Sequence, residues 1–155
     1  MGDDVSDTFV SITRLRVRSW RFLPAFFLQT GSVIAQARKA DGFGGGALLR
    51  DRQHTFWTLT LWQDQEGMRR YITSGAHLKV MPRLMDWCDE ASVVHWWQAN
   101  AAMPDWLEAE RRMRAEGRIS KVRNPSPDHA EMRFAAPRTT LSFPIPRGRN
   151  SGHTI

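Results

Sequence analysis

From Phe9 to Val17 the chain alternates, Phe-Val-Ser-Ile-Thr-Arg-Leu-Arg-Val, and is rich in β-branched residues. A period of two predicts a strand, with Arg14 and Arg16 on one face and Arg18 continuing that face beyond it. The period then lengthens. Trp20 to Ala37 fits a helix, with Ser19 placed to cap it and Pro24 tolerable in its first turn. Asp41-Gly42 and Gly44-Gly45-Gly46 mark a turn and a loose entry into a short strand, Gly45 to Asp51. Residues 51–54 connect it as a hairpin to the clearest strand, His54 to Trp62. Thr55, Trp57, Leu59 and Leu61 take one face of that strand; Phe56, Thr58, Thr60 and Trp62 take the other. Both faces are partly apolar, which predicts a central strand covered on both sides.

Asp64 is placed to cap a helix running through Tyr71, and Ser74-Gly75 ends or bends it. A second helical piece spans about His77 to Trp87, with His77, Met81, Leu84, Met85 and Cys88 along one face. Glu90 to Gln98 reads as the last strand, Val93, His95 and Trp97 opposite Ser92, Val94 and Trp96. The order β-α-β-β-α-β is the split βαβ, ferredoxin-like pattern of the α+β class. Its sheet carries helices on one face only, so the other face needs a cover. A second copy of the chain supplies one, closing a two-fold dimer and hiding sheet edges.

The pattern changes beyond Asn100. Asp105 to Gly117 is a charged helix between Pro104 and a glycine stop, and residues 118–155 form a basic, proline-rich arm or a partly disordered tail. The chain therefore divides into a polar, disordered leader (1–7), a folded domain (8–98) and a C-terminal helix with an arm (99–155). The formal net charge of +6 sits largely in the last part. Such an arm suits an anionic partner or a solvated surface. Its basic run Gly117 to Arg123 lacks interleaved aromatics, so no nucleic-acid partner is expected.

One cysteine, Cys88, rules out an intramolecular disulfide and a cysteine-based zinc site, and points to the cytoplasm. The acidic first residues do not read as a signal peptide. Phe22 to Ala37 is apolar but too short and too polar for a span; contact with a membrane surface stays open. The glycine run is no phosphate loop, because no Gly-Lys-Ser/Thr follows.

Thr55-Phe-Trp-Thr-Leu-Thr-Leu-Trp62, then an acidic cap, a helix and Ser74-Gly-Ala-His77, resembles the antibiotic-biosynthesis-monooxygenase superfamily. Met81 to Trp96 resembles its DUF3291-like members, and the ordering is similar to spheroidene monooxygenases. The resemblance implies a dimeric α/β barrel, acting as a homodimer with a hydrophobic small-molecule substrate. In haem-binding relatives a histidine on the helix after the central strand is the axial ligand, which implies His77 as catalytic and haem-iron ligand here. The cofactor is then haem, or none if the enzyme is a cofactor-free oxygenase.

The residues themselves offer these candidates, each with a plain alternative. His77 is an iron ligand or a structural helix histidine. His95 is a general base that deprotonates an acidic substrate before O₂ attacks, or a core histidine. Phe56, Trp57, Trp62 and Trp97 line an aromatic substrate pocket or simply pack the core. Arg14 and Arg16 hold an anionic group of the substrate if their face points inward, and are surface arginines if it points outward. Asp86, Asp89 and Glu90 read as helix-end carboxylates serving capping and solvation. Two functions follow: a monooxygenase-like enzyme for a hydrophobic or aromatic molecule, or a non-enzymatic binding protein on the same fold.

Overall fold

A computed structural model describes residues 7–148. Strand β1 (Thr8–Val17) is followed by a 3-10 turn (Trp20–Phe22) and helix α1 (Leu23–Lys39). Strands β2 (Phe43–Arg50) and β3 (Thr55–Trp62) form the hairpin. Helices α2 (Gln65–Ile72) and α3 (Gly75–Trp87) lead into β4 (Cys88–Gln98). Beyond the repeat come α4 (Trp106–Glu116), β5 (Arg118–Ile119) and β6 (Ser142–Ile145). All pairings are antiparallel, in the order β5-β4-β1-β3-β2-β6. The inner four strands are the ferredoxin-like sheet, and the fold is α+β with a C-terminal helix and arm.

Local signals act where expected. The Asp64 carboxylate accepts from the Gly67 N–H and starts α2; Asp105, expected as the first residue of its helix, is instead its cap and accepts from the Glu108 N–H. Gly75 opens α3 at φ +58, a left-handed backbone that a side chain resists. Gly46 lies so close to β3 that a Cβ there would run into the Leu59 carbonyl. The predicted apolar face of α3 is rotated, however. Val80 and Trp87 are its buried residues, whereas Met81 is exposed. His77, Val80, Leu84 and Trp87 form an equally regular helical stripe, and packing against α1 and β4 selects it.

The two faces of β3 separate as its alternation demands. Phe56 and Trp62 pack with α1 and α2 residues in two clusters. Trp57, Leu59 and Leu61 join Val10, Ile12, Leu49, Val94 and Trp96 on the opposite face. That face is not open. Ala109 and Met113 of α4 are fully buried in its cluster, and Trp106, Met132 and Phe134 pack against it. Strand β5 pairs with β4 at one margin of the sheet, and β6 pairs with β2 at the other. The cover expected from a second copy comes here from the chain's own tail, so a two-fold partner would have to use another surface or displace α4 and the arm. Residues 1–6 and 149–155, including most of the expected leader, lie outside the described residues.

Candidate functional site

Three helices meet the sheet at the junction of α2 and α3, and one side chain organises that meeting. Gln36, one of two glutamines in α1, donates from Nε2 to the carbonyls of Tyr71 (3.0 Å) and Ser74 (2.8 Å). Its Oε1 accepts from the backbone N–H of His77 at 2.8 Å. The first turn of α3 is thereby fixed against α1, and His77 with it.

The His77 ring lies 4.9 Å from the Tyr71 ring, Tyr71 is 5.1 Å from Trp62, and Trp62 is 5.4 Å from Phe43. An aromatic row thus runs from α3 down to the sheet. Burial holds His77 below its ordinary pKa, outweighing the opposing pull of the Ile72 carbonyl. Nδ1 is buried without a well-formed hydrogen bond. Burial also pushes the Tyr71 phenol up, so it stays protonated; its hydroxyl donates to the Val33 carbonyl at 3.4 Å. Beside this row lies an open depression of about 390 Å³, lined by Gln36, Lys39, Asp41, Gly67, Arg70, Tyr71 and Ser74, among others. Its rim is polar and charged. A haem needs a flat, apolar slot beside its axial histidine, and these residues do not fit that group. Among the described residues no cluster of three metal-ligating side chains occurs.

The other candidates sit elsewhere. His95, on β4, lies 5.4 Å from the Phe9 ring on the helix-covered face. Burial first and the Arg118 charge second lower its pKa. Trp97 packs on the same Phe9 at 5.0 Å but is half exposed. Phe56 stacks with Phe26 at 4.8 Å, in a different cluster from Trp62, and Trp57 is on the far side of the sheet. The four aromatics therefore do not converge on one cavity.

Arg14 is buried rather than on the surface. It donates to Glu90 at 2.9 Å and lies over the Phe134 ring at 4.6 Å. Arg16 grips Asp89 with two hydrogen bonds (2.9 and 2.8 Å) and reaches Glu90 at 3.0 Å; those carboxylates, the Asp89 bonds above all, hold it protonated. Arg18 meets Asp86 at 3.6 Å. The three carboxylates read as capping groups are instead the partners of the three arginines, Asp89 and Glu90 across the strands and Asp86 from the end of α3. Ser126 of the arm completes the set, donating to Glu90 at 2.8 Å. Arg14 Nε and Ser92 Oγ, on residues paired across β1 and β4, stay unbonded beneath the arm. Cys88 is buried, and that burial pushes its thiol up to about 12.

Gln36 and Glu90 are the residues that sequence reasoning undervalued. Gln36 carried little signal, because Gln29, Thr30 and Ser32 make the same run equally polar. Glu90 carried none, because its partners lie 74 and 76 positions away.

None of the curated proteins matches this sequence. Solved structures share the fold at low identity. A conserved protein from Methanosarcina mazei Go1 aligns at TM-score 0.53 and 16% identity, over 59% of this chain and 93% of that one. A putative antibiotic biosynthesis monooxygenase from Nitrosomonas europaea aligns at 0.54 and 16%, over 59% and 89%. A second Nitrosomonas europaea protein, of unknown function, aligns at 0.53 and 14%, over 64% and 97%. In each case the unmatched part of this chain exceeds a third of its length. Residues 24–121, more than half of the chain, match the family described as Domain of unknown function (DUF3291). The aligned core is the antibiotic-biosynthesis-monooxygenase fold, and the chain belongs to the DUF3291 family.

Proposed function

We propose that the chain is a cofactor-free, monooxygenase-like enzyme for an aromatic small molecule that carries an acidic C–H and a polar or anionic group, bound between α1 and α2 with its ring at Tyr71 and its polar group at Lys39 and Arg70. The observation that supports this reading is His77: an imidazole kept neutral by burial, set by Gln36 on the aromatic row and packed behind Tyr71, whose ring lines the open depression. A base kept neutral by burial accepts a proton at pH values where a free imidazole is already charged. In the proposed step His77 takes a proton from an activated methylene, and the carbanion forms a C–O bond with O₂. Cleavage of the O–O bond then leaves a carbonyl and releases water. The balance is CH₂ + O₂ → C=O + H₂O, with the substrate supplying every electron and His77 returning its proton to the departing oxygen.

The test is O₂ uptake by the purified protein on a panel of aromatic carbon acids, under chelator, with ¹⁸O₂ labelling. One labelled oxygen in the product and loss of uptake in His77→Ala are expected; His95→Ala, which removes the other candidate base, keeps activity. The acid limb of the rate profile falls below the ordinary histidine value of about 6.5. Stability follows the same sign. The folded-state pKa is depressed, so the contribution is complete above about 6.5 and is lost as pH falls from there toward the folded value. Uptake no faster than without protein, or equal rates in His77→Ala, would overturn the enzyme reading. The fallback is a binding protein, favoured by the openness of the depression.

A further inference from the structure

Outward faces of helices on soluble domains are normally charged. The outward face of α1 is not. From Phe22 to Ala37 the sequence holds no charged residue at all. Trp20, Pro24, Phe27, Leu28, Gly31 and Ala35 recur at helical spacing and are all exposed. Trp20 is 70% and Leu28 72% exposed, the extent of residues that touch nothing. Helix α3, which packs beside α1, adds Leu78 at 52% and Met81 at 41%.

Along the chain the charges that bound this stripe have one sign, although Arg18 is paired with Asp86 of α3. Arg18 and Arg21 stand at its start, Arg38 and Lys39 at its end, and the Arg50 guanidinium lies 5.8 Å from the Phe27 ring. Among the described residues, Arg21, Arg38, Lys39 and Arg50 are not paired with a carboxylate. No acid occurs from Arg18 to Ala40. No helix of the described residues is long and apolar enough to cross a membrane.

We propose that the outer face of α1 docks the protein on an anionic phospholipid surface, with Trp20, Phe27 and Leu28 entering the interface and Arg21, Arg38, Lys39 and Arg50 meeting phosphate headgroups. An apolar stripe between cationic ends is what an interfacial helix presents to such a surface. Tryptophan suits the headgroup boundary, having one apolar body and one N–H donor. A second copy is the poorer occupant. Two copies meeting through α1, parallel or antiparallel, bring only like-charged ends together, with no acid on this helix to offset them. The proposal is independent of the His77 chemistry.

The experiment is co-sedimentation of the full chain with vesicles of phosphatidylcholine alone, or with phosphatidylglycerol added, at low and high salt. Binding to the anionic vesicles should exceed that to the neutral ones by at least about tenfold and weaken with salt. Leu28→Glu, at an exposed position that folding does not need, should lower it about tenfold, and Trp20→Ala by several fold. Sedimentation velocity on the same samples without lipid reads self-association. Equal affinity for neutral and anionic vesicles, no binding, or Leu28→Glu binding like the parent overturns the proposal. So does a dimer that Leu28→Glu converts to monomer, which would make α1 a contact between copies.

Discussion

Under α1, α2 and α3 the sheet is sealed by rings and aliphatic groups: Phe9, Phe43, Trp62, Tyr71 and Met68 at one cluster, Val17, Phe26, Val80 and Trp87 at another. Under α4 and the arm an equally apolar cluster, with Trp57, Leu59, Ala109 and Met113 among its members, is joined by buried charges. Arg14 and Glu90 are buried as an ion pair, Phe134 lies between the guanidinium groups of Arg14 (4.6 Å) and Arg114 (4.1 Å), and Arg112 of α4 stands over Trp96 at 4.9 Å. The first cover belongs mainly to the βαββαβ repeat, with Val122 and Ile145 of the arm added to its two clusters. The second is an addition from outside it, and beyond the burial of Ala109 and Met113 it is attached by cations on aromatics, by hydrogen bonds from Ser126, and by two short edge strands. A cover that arrives from far along the chain needs specific, directional contacts to fix its position.

That contrast can be broken. Ending the chain after Gly117 removes the arm while leaving α4. Val122 and Ile145, both buried, are lost, and two burials of this size contribute about 3–6 kcal/mol. Unfolding in urea should move down by that amount, and the bared strand margins should cause self-association in sedimentation velocity. Unchanged stability would mean that the arm only rests on the sheet. Glu90→Leu strands the buried Arg14 and should cost about 3–5 kcal/mol, whereas Glu90→Leu combined with Arg14→Leu should recover much of the loss. Equal costs for the single and double variants would show that packing, not charge pairing, matters there. Phe134→Ala removes a half-buried ring and two cation contacts; about 1–2 kcal/mol is expected, with faster amide exchange in residues 126–134. The smallest expected effect is chemical. Cys88 should ignore thiol reagents in the folded protein and react once it unfolds, because the thiolate is inaccessible and disfavoured. Reaction at neutral pH in the folded state would show that the helix-covered side opens.

Fold was the more legible half. The alternation in Phe9–Val17 and Thr55–Trp62 and the cap at Asp64 are local, and each acts in the structure as its spacing demanded. Helix α4 shows the limit. Its buried face is the stripe Trp106, Ala109 and Met113, visible in the sequence but masked by neighbouring charges, so it reads as a surface helix. The candidate site was legible only in pieces. His77 stands where the motif puts it, yet its setting depends on Gln36, 41 positions away, and Phe56, Trp57, Trp62 and Trp97 do not line one cavity.

By itself the sequence determined the periods, the turns and the caps, because these depend on neighbours within a few residues. From them come the strands, the helices, the order of the repeat and the uncharged run in α1. Only the tertiary structure decided which stripe of α3 faces inward and that Arg14 is buried, with Glu90 as its partner. It also decided that the chain's own tail covers the second face of the sheet. Those outcomes rest on contacts between residues far apart in the chain, and a long-range pair leaves no periodic trace in either of its members.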